Sequence, residues 1–518
     1  MKREEMIKKI NKDNNEYDFI VIGGGATGIG IALDASSRGY SVILLEMSDF
    51  TKSTSSKSTK LVHGGVRYLA QGDIGLVREA VVERGLLTQN APHLVKDQSF
   101  IIPTQSLFDE IQYTIGLTFY DLLAGKLSLG RSKRISKEKT LKRISTINPQ
   151  KITAGVVYHD GQFDDTRLAI NALQSATELG AIVINYCKVT GLMKDANGKV
   201  SGVKFFDEEE KKEYKIKGKQ VVNATGVFAD DVLKMDSPNT KKTIAPSQGV
   251  HLVLDKSFLP DNDAIMIPKT DDGRVLFLVP WHGRVIVGTT DTPIKEESLE
   301  PIALEEEIQF ILNTASRYLT KAPKRSDVLS VFAGLRPLAA TEEGKKTKEI
   351  SRSHKIFTSN SGLLTIVGGK WTTFRKMGED LVNKTEIKNT WSHIPTKTKH
   401  LKIHGYKENV DYNNPLYFYG SDEEAVLDLA SKNGNGDFIS TSLEIINAQV
   451  VWAVRNEMAR TVEDFLARRT RCQLLDAKES LKMAPKVAQI MAKELGKDTA
   501  WETKQVNDYL QVTSNYIL

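Results

Sequence analysis

A glycine-rich loop between two apolar segments places the strongest constraint on how this chain can fold. Residues 17–22, YDFIVI, are typical of a buried parallel strand, and residues 26–37 are compatible with a helix. Gly23, Gly25 and Gly28 lie between them with the spacing G-x-G-x-x-G. This spacing allows a tight turn and a close approach of a pyrophosphate to backbone N–H groups. The pattern predicts a βαβ unit that binds a dinucleotide.

The second strand of the predicted unit ends at an acidic residue. Residues 40–45 return to an apolar, β-branched pattern, and Glu46 follows 18 positions after Gly28. A carboxylate at this place accepts hydrogen bonds from the ribose hydroxyls of a bound dinucleotide. The loop alone does not distinguish NAD from FAD.

Length and composition indicate a multidomain globular protein. A chain of 518 residues exceeds what one hydrophobic core usually serves, and 40% hydrophobic with 26% charged residues is typical of folded soluble proteins. Its 71 Lys and Arg residues only slightly outnumber its 65 Asp and Glu residues, and the sequence contains no recognisable nucleic-acid-reading module. We therefore expect no nucleic-acid partner.

The sequence carries neither a metal-binding pattern nor a secretion signal. Cys187 and Cys472 are its only cysteines and lack the close spacing of zinc or iron–sulfur ligands. The basic N-terminus is followed by no apolar segment with a cleavage site, and no run of about 18 apolar residues predicts a membrane-spanning helix. We expect a cytoplasmic protein without a metal, for which attachment to a membrane surface is left open.

A polar segment after the second strand has the composition of a flexible linker, but its position favours another role. Residues 51–60, TKSTSSKSTK, lead directly into residues 61–69, LVHGGVRYL. In a dinucleotide-binding fold this part of the chain lies near the mouth of the ligand crevice. We therefore expect it beside the ligand.

Two later segments favour FAD as the dinucleotide. Residues 221–226, VVNATG, form a second strand that ends at a glycine, and residues 367–375, VGGKWTTFR, place amide donors and hydroxyls at the start of a helix. Such an arrangement suits an anionic or polarised flavin edge near a helix N-terminus.

These motifs together resemble those of a known family, the FAD-dependent glycerol-3-phosphate dehydrogenases within the D-amino-acid-oxidase-like flavoproteins. The similarity covers nearly the whole chain, and residues 450–471 resemble that family's C-terminal helical domain. The motifs that carry it are, in order, GGGATG, TSSKSTKLVHGGVRYL, VVNATG, VPWHGRVIVGTTD, AGLRPL and VGGKWTTFR.

The resemblance implies a reaction in glycerol metabolism. It implies the oxidation of sn-glycerol 3-phosphate to dihydroxyacetone phosphate, with hydride transfer from C2 to flavin N5. Electrons would then pass to a respiratory membrane quinone. A homodimer is left open by the sequence.

The predicted fold class is α/β, with a Rossmann-like FAD-binding domain, a β-rich antiparallel substrate domain and a C-terminal helical domain. We expect the chain to leave the FAD-binding domain and to return to it. The predicted segments are 1–100 (FAD-binding domain, first part), 101–160 (substrate-domain segment with membrane contact), 161–243 (FAD-binding domain, second part), 244–345 (β-rich substrate domain), 346–394 (FAD-binding domain, last part) and 395–518 (C-terminal helical domain).

A phosphate dianion as substrate requires cationic side chains. Guanidinium groups bind oxyanions through two parallel hydrogen bonds, and an ammonium group adds a compact charge. The resemblance places Arg67, Arg336, Arg352 and Lys370 at the substrate site, with Tyr68 beside them.

Oxidation of an alcohol also requires an acceptor for the hydroxyl proton, and a histidine has a suitable pKa. His63 in VHGG and His251 in QGVHLVL are the candidates, and His63 is closer in sequence to Arg67. Arg336 could polarise the hydroxyl instead, and Lys370 is a further catalytic candidate.

The predicted FAD contacts come from four of these motifs and from two positions outside them, Glu46 and Val189. They are Gly23, Gly25, Ala26, Thr27, Gly28, Glu46, Ser55, Ser56, Ser58, His63, Gly64, Gly65, Val189, Ala224, Thr225, Gly226, Gly369, Lys370, Thr372 and Thr373.

Residues 111–143 join an apolar stretch to a basic cluster. Between Lys126 and Arg143 there are eight basic residues and one acidic residue. Apolar burial and basic attraction add at an anionic membrane surface. With a quinone acceptor expected, we interpret this segment as a peripheral contact with the cytoplasmic face of the inner membrane.

Three alternatives are left open. A glycerol-phosphate oxidase could use oxygen with the same flavin and pocket, and an amino-acid or amine oxidase would also need arginine for its substrate carboxylate. A flavin-binding scaffold or redox sensor without turnover would bind FAD but would not be reduced by a small alcohol.

Overall fold

The computed structural model describes residues 1–12, 16–70, 72–270, 273–340, 353–432 and 434–518. The strands are β1 Glu16–Ile22, β2 Val42–Leu45, β3 Leu61–Val62, β4 Val95–Thr104, β5 Lys133–Ser136, β6 Ala154–Phe163, β7 Ile182–Ile184, β8 Cys187–Lys194, β9 Val200–Asp207, β10 Lys212–Asn223, β11 Ile244–Asp255, β12 Ala264–Ile267, β13 Leu276–Trp281, β14 Arg284–Gly288, β15 Thr292–Pro293, β16 Val328–Ala339, β17 Lys355–Thr358, β18 Leu364–Val367, β19 Phe438–Ser440 and β20 Ile445–Ile446. The helices are α1 Arg3–Lys12, α2 Ala26–Arg38, α3 Val66–Ala70, α4 Ile74–Asn90, α5 Leu107–Ala124, α6 Lys137–Arg143, α7 Asp165–Glu178, α8 Ala229–Asp236, α9 Glu305–Tyr318, α10 Phe374–Lys388, α11 Glu423–Ala430, α12 Asn447–Asn456, α13 Cys472–Leu475, α14 Ala477–Leu495 and α15 Thr499–Thr513.

The first sheet has a parallel centre with the strand order β18-β10-β1-β2-β7. Phe19, Ile20 and Val21 of β1 are fully buried, which explains why the YDFIVI run is apolar at successive positions rather than at alternate ones. Strands β8 and β9 form an antiparallel hairpin beside β10. Because β1, β10 and β18 run parallel, their carboxyl ends meet at one edge of the sheet.

Helices α2 and α10, more than three hundred residues apart in sequence, pack through glycines. A Cβ atom on Gly378 of α10 would lie 2.2 Å from the carbonyl oxygen of Gly30 in α2. A Cβ on Gly30 would lie 2.3 Å from the carbonyl oxygen of Phe374. This close backbone contact brings the segment after β18 back to the glycine loop after β1.

The second sheet has the order β15-β11-β14-β13-β12-β4-β6-β3, with β16 paired to β11 and β5 to β6. Most of its pairs are antiparallel, whereas β12 and β4 are parallel. Strands β4 and β6 pair along their full length, from Val95 with Phe163 to Thr104 with Ala154. The predicted boundaries at residues 100 and 160 fall inside these two strands, because the pairing continues past both positions.

Helices α11–α15 form the C-terminal part, with a buried core of its own that includes Phe465, Met483, Val487 and Tyr509. Its last residues also reach the second sheet, since Tyr516 packs in one cluster with residues of β13, β14 and β16. The predicted fold class, α/β with a Rossmann-like domain, a β-rich domain and a C-terminal helical region, is confirmed.

The glycine contact between α2 and α10 gives a first prediction. We expect Gly378→Ala to lower the free energy of unfolding by about 2 kcal/mol, because the new methyl group forces two backbones apart. Gly116→Ala is the matched control, since Gly116 lies in helix α5 with open space around it. That variant should gain roughly 0.5–1 kcal/mol from helix propensity. Thermal unfolding followed by circular dichroism measures both, and equal melting temperatures for the two variants would contradict the packing argument.

Candidate active site

A cavity of about 430 Å³ lies at the edge of the first sheet where β1, β10 and β18 end. Twelve of the predicted FAD contacts line it. They are Gly23, Gly25, Ala26, Thr27, Glu46, Ser55, Val189, Ala224, Thr225, Gly226, Gly369 and Lys370. The parallel register explains this convergence of residues that are far apart in sequence.

The glycine loop at this cavity is held by contacts too close for side chains. Gly23 has a φ of +108°, and a Cβ on Gly28 would lie 1.9 Å from the Gly23 carbonyl oxygen. Gly28 therefore lies beneath the loop and shapes it, rather than lining the cavity. Ala26 and Thr27 begin helix α2 at the cavity wall, so the positive end of the helix dipole faces the space.

Glu46 is fixed at the same wall by two backbone groups. Its carboxylate accepts hydrogen bonds from the Gly24 N–H at 2.6 Å and from the Ser48 N–H at 2.9 Å. Burial raises the pKa of Glu46, and the two N–H donors oppose that shift. The side chain is therefore held in one orientation at the position predicted for a ribose acceptor.

Residues 51–55 form a further wall of the cavity, as expected for the polar segment. Ser55 Oγ accepts a hydrogen bond from the Ala26 N–H at 2.9 Å. Ser56 and Ser58 do not line this cavity. Ser58 Oγ instead donates to Asp165 at 2.6 Å, and Ser56 Oγ donates to the Ser53 carbonyl at 3.2 Å. Both hydroxyls therefore bond to the protein, and Ser56 is the last residue of the 3₁₀ turn Thr54–Ser56.

The same segment contributes residues that the sequence did not single out. Thr51, Lys52, Ser53 and Thr54 all line the cavity. The sequence analysis expected the whole of residues 51–60 beside the ligand but named only Ser55, Ser56 and Ser58 as contacts, whereas the residues that line the cavity are at the start of the segment. Their proximity to the end of β2 was the signal that could have found them.

The segment after β18 closes another wall. Gly368 and Gly369 have φ values of +76° and +83°, and Lys370 follows with its Nζ 4.1 Å from the centroid of the Tyr68 ring. Thr372 Oγ1 accepts from the His63 N–H at 3.1 Å, and Thr373 Oγ1 donates to the Lys370 carbonyl at 3.2 Å. The two threonines therefore support the wall from behind, which differs from their predicted contact with FAD.

Gly64 also lies behind the wall. Its N–H donates to the hydroxyl of Tyr120 at 2.7 Å, and a Cβ on Gly64 would lie 2.3 Å from Val81. The loop of His63, Gly64 and Gly65 thus packs tightly against helices α4 and α5. Gly64 is required for this packing rather than for lining a cavity.

A second cavity of about 190 Å³ lies on the other side of this loop. The predicted residues His63, Gly65, Tyr68 and Arg336 line it. Because Tyr68 belongs to this cavity and contacts Lys370 of the larger one, the two spaces share a wall. The remaining lining residues are Thr59, Leu61, Val66, Phe100, Tyr158, Asp160, Met266, Arg274, Val275, Phe277, Thr289, Thr290 and Asp291.

Arg336 is held at the second cavity by oxygen atoms of Gln248 on the paired strand β11 and of residues 289–291 after β14. Its guanidinium donates to the Thr290 carbonyl at 3.0 Å and to the Gln248 carbonyl at 3.2 Å. It also lies 3.2 Å from a carboxylate oxygen of Asp291. The group is fixed in place at a polar end of the cavity.

Three charged residues of this cavity were missed by the sequence analysis, Asp160, Arg274 and Asp291. Asp160 accepts from Arg84 at 2.6 Å and from the Tyr120 hydroxyl at 2.8 Å. Burial raises the pKa of Asp160, and Arg84 opposes that shift. Asp160 and Arg274 belong to none of the motifs that carried the resemblance, whereas Asp291 ends the motif VPWHGRVIVGTTD, which was the signal that could have found it.

The two candidate histidines have different surroundings. His63 lines the second cavity, whereas His251 is buried behind it and contacts the Thr59 hydroxyl at 2.9 Å through Nε2. The His251 ring stacks on Phe332 with centroids 4.9 Å apart. Burial lowers the pKa of His251 well below its usual range, and the charges of Arg336 and Lys60 act in the same direction. His251 thus reaches the cavity only through Thr59.

Comparison with known proteins identifies the family. Residues 18–375 match the family model described as FAD dependent oxidoreductase, and residues 364–502 match the model described as C-terminal domain of alpha-glycerophosphate oxidase. The mitochondrial glycerol-3-phosphate dehydrogenase of Schizosaccharomyces pombe is 37% identical over 98% of this chain and 89% of its own length. The chain belongs to the FAD-dependent glycerol-3-phosphate dehydrogenase family. The predicted family is confirmed.

Other members of the family give the same result. The mitochondrial glycerol-3-phosphate dehydrogenase of Saccharomyces cerevisiae is 36% identical over 99% of this chain and 91% of its own length. The solved glycerol-3-phosphate dehydrogenase from Bacillus halodurans, complexed with FAD, has a TM-score of 0.81 at 28% identity and covers 100% of this chain and 98% of that one. FAD as the cofactor of this family member is confirmed.

The larger cavity has the features that FAD requires. A Cβ atom on Gly23 or Gly28 would collide with neighbouring backbone atoms, so the loop keeps its shape only with glycine at these positions. The N-terminus of α2 faces the cavity, and the fixed carboxylate of Glu46 lies at the end of β2. These are the parts that hold a pyrophosphate and a ribose in dinucleotide-binding folds. We therefore assign the larger cavity to FAD in the proposals that follow.

The side chains of two predicted substrate residues lie outside the part of the chain that the structure describes. Arg352 lies outside the described residues. Arg67 belongs to helix α3, but its side chain is outside the part that the structure describes. Their roles stay predictions.

The contact beneath the glycine loop gives a second prediction. We expect Gly28→Ala to raise the dissociation constant of FAD by at least about tenfold, because the methyl group displaces the Gly23 carbonyl and opens the loop. The flavin content of the purified protein and flavin fluorescence during dilution measure this effect. Gly191→Ala is the control, since Gly191 has open space around it on strand β8. Full retention of FAD by Gly28→Ala would show that the larger cavity does not hold the cofactor.

Proposed function

We propose that this chain oxidises sn-glycerol 3-phosphate to dihydroxyacetone phosphate and passes the electrons to a membrane quinone. The observation that carries the proposal is the second cavity, where His63, Tyr68 and Arg336 lie together against the wall formed by Lys370. Its volume of about 190 Å³ suits a small molecule rather than a long or aromatic one. The names of the full-length relatives support the same substrate.

The phosphate group binds at the cationic end of this cavity. Arg336 is fixed there by backbone carbonyls, and Arg274 lines the same space. Guanidinium groups held in one orientation bind oxyanions with little loss of side-chain entropy. We propose that Arg67 and Arg352 add to this positive charge.

Loss of hydride from C2 leaves the hydroxyl proton to be accepted by the protein. When bound, FAD supplies the hydride acceptor at its N5 atom. His63 accepts the proton, because it lines the cavity next to Tyr68. Lys370 lies at the wall between the two cavities and provides positive charge near the reacting atoms.

The opposite end of the cavity is apolar and excludes water. Phe100 and Tyr158 stack with ring centroids 5.0 Å apart, and Phe277 packs edge-on against Phe100. Exclusion of water strengthens the electrostatic interactions of the bound phosphate and of His63. We propose that this wall surrounds the carbon chain of the substrate.

The substrate proposal gives a third prediction, tested by adding sn-glycerol 3-phosphate to the protein without oxygen. The parent protein should lose its oxidised-flavin absorbance. A hydrogen bond to a charged group contributes about 1.5–3 kcal/mol, so Arg336→Ala should slow this bleaching by about tenfold to a hundredfold. Arg325→Ala is the matched control, because Arg325 forms an exposed ion pair with Glu305.

The same experiment separates the competing functions. Absence of bleaching in the parent would exclude this substrate and would leave a flavin-binding scaffold or an amino-acid oxidase. Bleaching followed by peroxide formation in air, without any effect of added quinone, would favour a glycerol-phosphate oxidase. Equal rates for Arg336→Ala and the parent would remove Arg336 from the site.

Helix α5 supports a peripheral contact with a membrane. Its outer face carries large apolar side chains that are exposed by 40% to 73%, although its inner face is buried against the second cavity's apolar cluster. The exposed residues are Leu107, Phe108, Ile111, Ile115, Phe119 and Leu122. An exposed apolar patch of this kind is typical of an interaction surface.

The basic residues after α5 favour an anionic membrane as the partner. Lys126, Arg131, Lys133 and Lys137 are exposed and follow the apolar helix directly. Among the residues that the structure describes, no helix combines the length and apolar character needed to span a bilayer. We propose that α5 lies in the membrane interface, where a quinone is within reach, and that this is the cytoplasmic face of the inner membrane. The apolar face begins at Leu107, slightly earlier than the predicted segment.

The membrane proposal gives a fourth prediction. We expect the double variant Phe108→Ser and Ile115→Ser to bind anionic phosphatidylglycerol vesicles at least about tenfold more weakly in co-sedimentation, because each buried apolar side chain contributes about 1.5–3 kcal/mol. Ile387→Ser with Leu427→Ser is the matched control, since both side chains are exposed on other helices. Equal binding by the two double variants would exclude α5 as the membrane contact.

A further inference from the structure

The C-terminal helical region makes fully buried polar contacts with the segment that follows β2. Asp49, fully buried in that segment, accepts from Arg468 Nε at 2.6 Å. Arg469 donates to both carboxylate oxygens of Asp49, at 2.8 and 2.9 Å. One carboxylate near the larger cavity is therefore held by two guanidinium groups of the C-terminal region.

A second ion pair lies beside the first and reaches the cavity itself. Lys52, which lines the larger cavity, contacts Glu463 at 2.8 Å. The other oxygen of Glu463 accepts from Arg468 at 2.7 Å. Arg468 thus connects both pairs, and the chain order Glu463, Arg468, Arg469 follows a π-helical turn, Asp464–Arg469. Such turns are frequent at functional positions.

The anchored segment is in turn bonded to the glycine loop. The Thr51 N–H donates to the Gly24 carbonyl at 3.1 Å, and Ser55 Oγ accepts from the Ala26 N–H. The Ser55 carbonyl accepts from the indole of Trp371 at 2.9 Å. Residues 51–55 therefore connect the loop after β1 with the segment after β18, and Thr51 has a φ of +64°, which requires support from its surroundings.

We propose that Glu463, Arg468 and Arg469 are positioning residues for FAD, which fix residues 49–55 as a wall of the cofactor cavity. The C-terminal helical region then has a role in cofactor retention in addition to its own packing. This inference rests on the assignment of the larger cavity to FAD.

The electrostatics agree with this geometry. Burial alone would raise the pKa of Asp49, but Arg469 and Arg468 outweigh it and hold the pKa below its usual range. Burial and the neighbouring charge of Asp49 both raise the pKa of Glu46, whereas Arg468 lowers it. Arg468 therefore also offsets the charge of Asp49 near the proposed ribose acceptor.

The test compares FAD release from full-length holoenzyme variants, followed by flavin fluorescence on dilution. Asp49→Asn leaves two buried guanidinium groups with a neutral partner, so we expect the FAD dissociation constant to rise by about tenfold or more. Glu463→Gln acts on a less buried pair and provides a second variant if Asp49→Asn fails to fold. We expect its FAD dissociation constant to rise by about threefold to tenfold.

The matched control breaks another buried side-chain pair between the same two parts of the molecule and leaves in place the bonds from Arg469 to the Glu457 carbonyl. Arg167 of α7 donates to both oxygens of Glu457 at 2.8 Å, and both side chains are fully buried. We expect Glu457→Gln to lower the melting temperature, measured with excess FAD, while its FAD dissociation constant stays within about twofold of the parent. If Asp49 and Glu463 had only a structural role, Asp49→Asn and Glu463→Gln would behave like Glu457→Gln, with a lower melting temperature and an unchanged FAD dissociation constant.

A double variant tests whether Glu463 acts through Lys52. If it does, Glu463→Gln combined with Lys52→Met should weaken FAD binding no more than the stronger single variant does. Additive effects would assign Glu463 an independent role and would overturn this part of the proposal.

The outcomes separate this inference from the cavity assignment. If Gly28→Ala keeps its FAD, the assignment of the larger cavity is wrong. If Gly28→Ala loses FAD whereas Asp49→Asn and Glu463→Gln bind it as tightly as the parent, the cavity assignment stands and the positioning role is wrong.

Discussion

Close backbone packing of glycines at the carboxyl edge of the parallel sheet is the constraint on which the rest of the structure depends. Gly28 lies against the carbonyl of Gly23, and two residues further the pair Gly30 and Gly378 brings α2 against α10. Any side chain at these positions would separate elements that must touch. The contacts direct the N-terminus of α2 at the larger cavity and bring Lys370 to its wall. The proposed pyrophosphate site of FAD and the proposed role of Lys370 therefore depend on the same few backbone contacts.

Buried arginine side chains in this protein form ion pairs that connect elements far apart in the sequence. Arg84, Arg167 and Arg375 each pair with a buried carboxylate from another part of the chain. Removal of one partner leaves an uncompensated buried charge, so such pairs fix geometry strongly even where their net stabilisation is small. An arginine in this protein is thus not by itself a sign of an anion site. Arg336 also pairs with a carboxylate, that of Asp291, but two backbone carbonyls and the Thr289 hydroxyl accept from it as well, and it lines the second cavity.

The features that could be predicted from the sequence are those set by local backbone geometry. The G-x-G-x-x-G spacing determines a turn, and an apolar run buried on both faces determines a parallel strand, so the larger cavity followed from Gly23, Gly25 and Glu46. The direction of a hydroxyl in a loop depends on its tertiary neighbours, which is why Ser58 bonds to Asp165 rather than to the cavity. Arg274 lies between β12 and β13, and this hairpin joins the second sheet through the pairing of β12 with β4, which is far earlier in the sequence. No local pattern encodes that pairing.

The tertiary surroundings also bear on which histidine is the better candidate for the proposed base. A histidine that accepts the hydroxyl proton becomes a cation. Burial lowers the pKa of His251 well below its usual range, so its cationic form is disfavoured throughout the neutral range. A neutral imidazole is nevertheless suited to orient the Thr59 hydroxyl, which lines the cavity. Under the proposed function, His63 is therefore the better candidate for the base because it lines the cavity itself, and His251 is better suited to positioning Thr59.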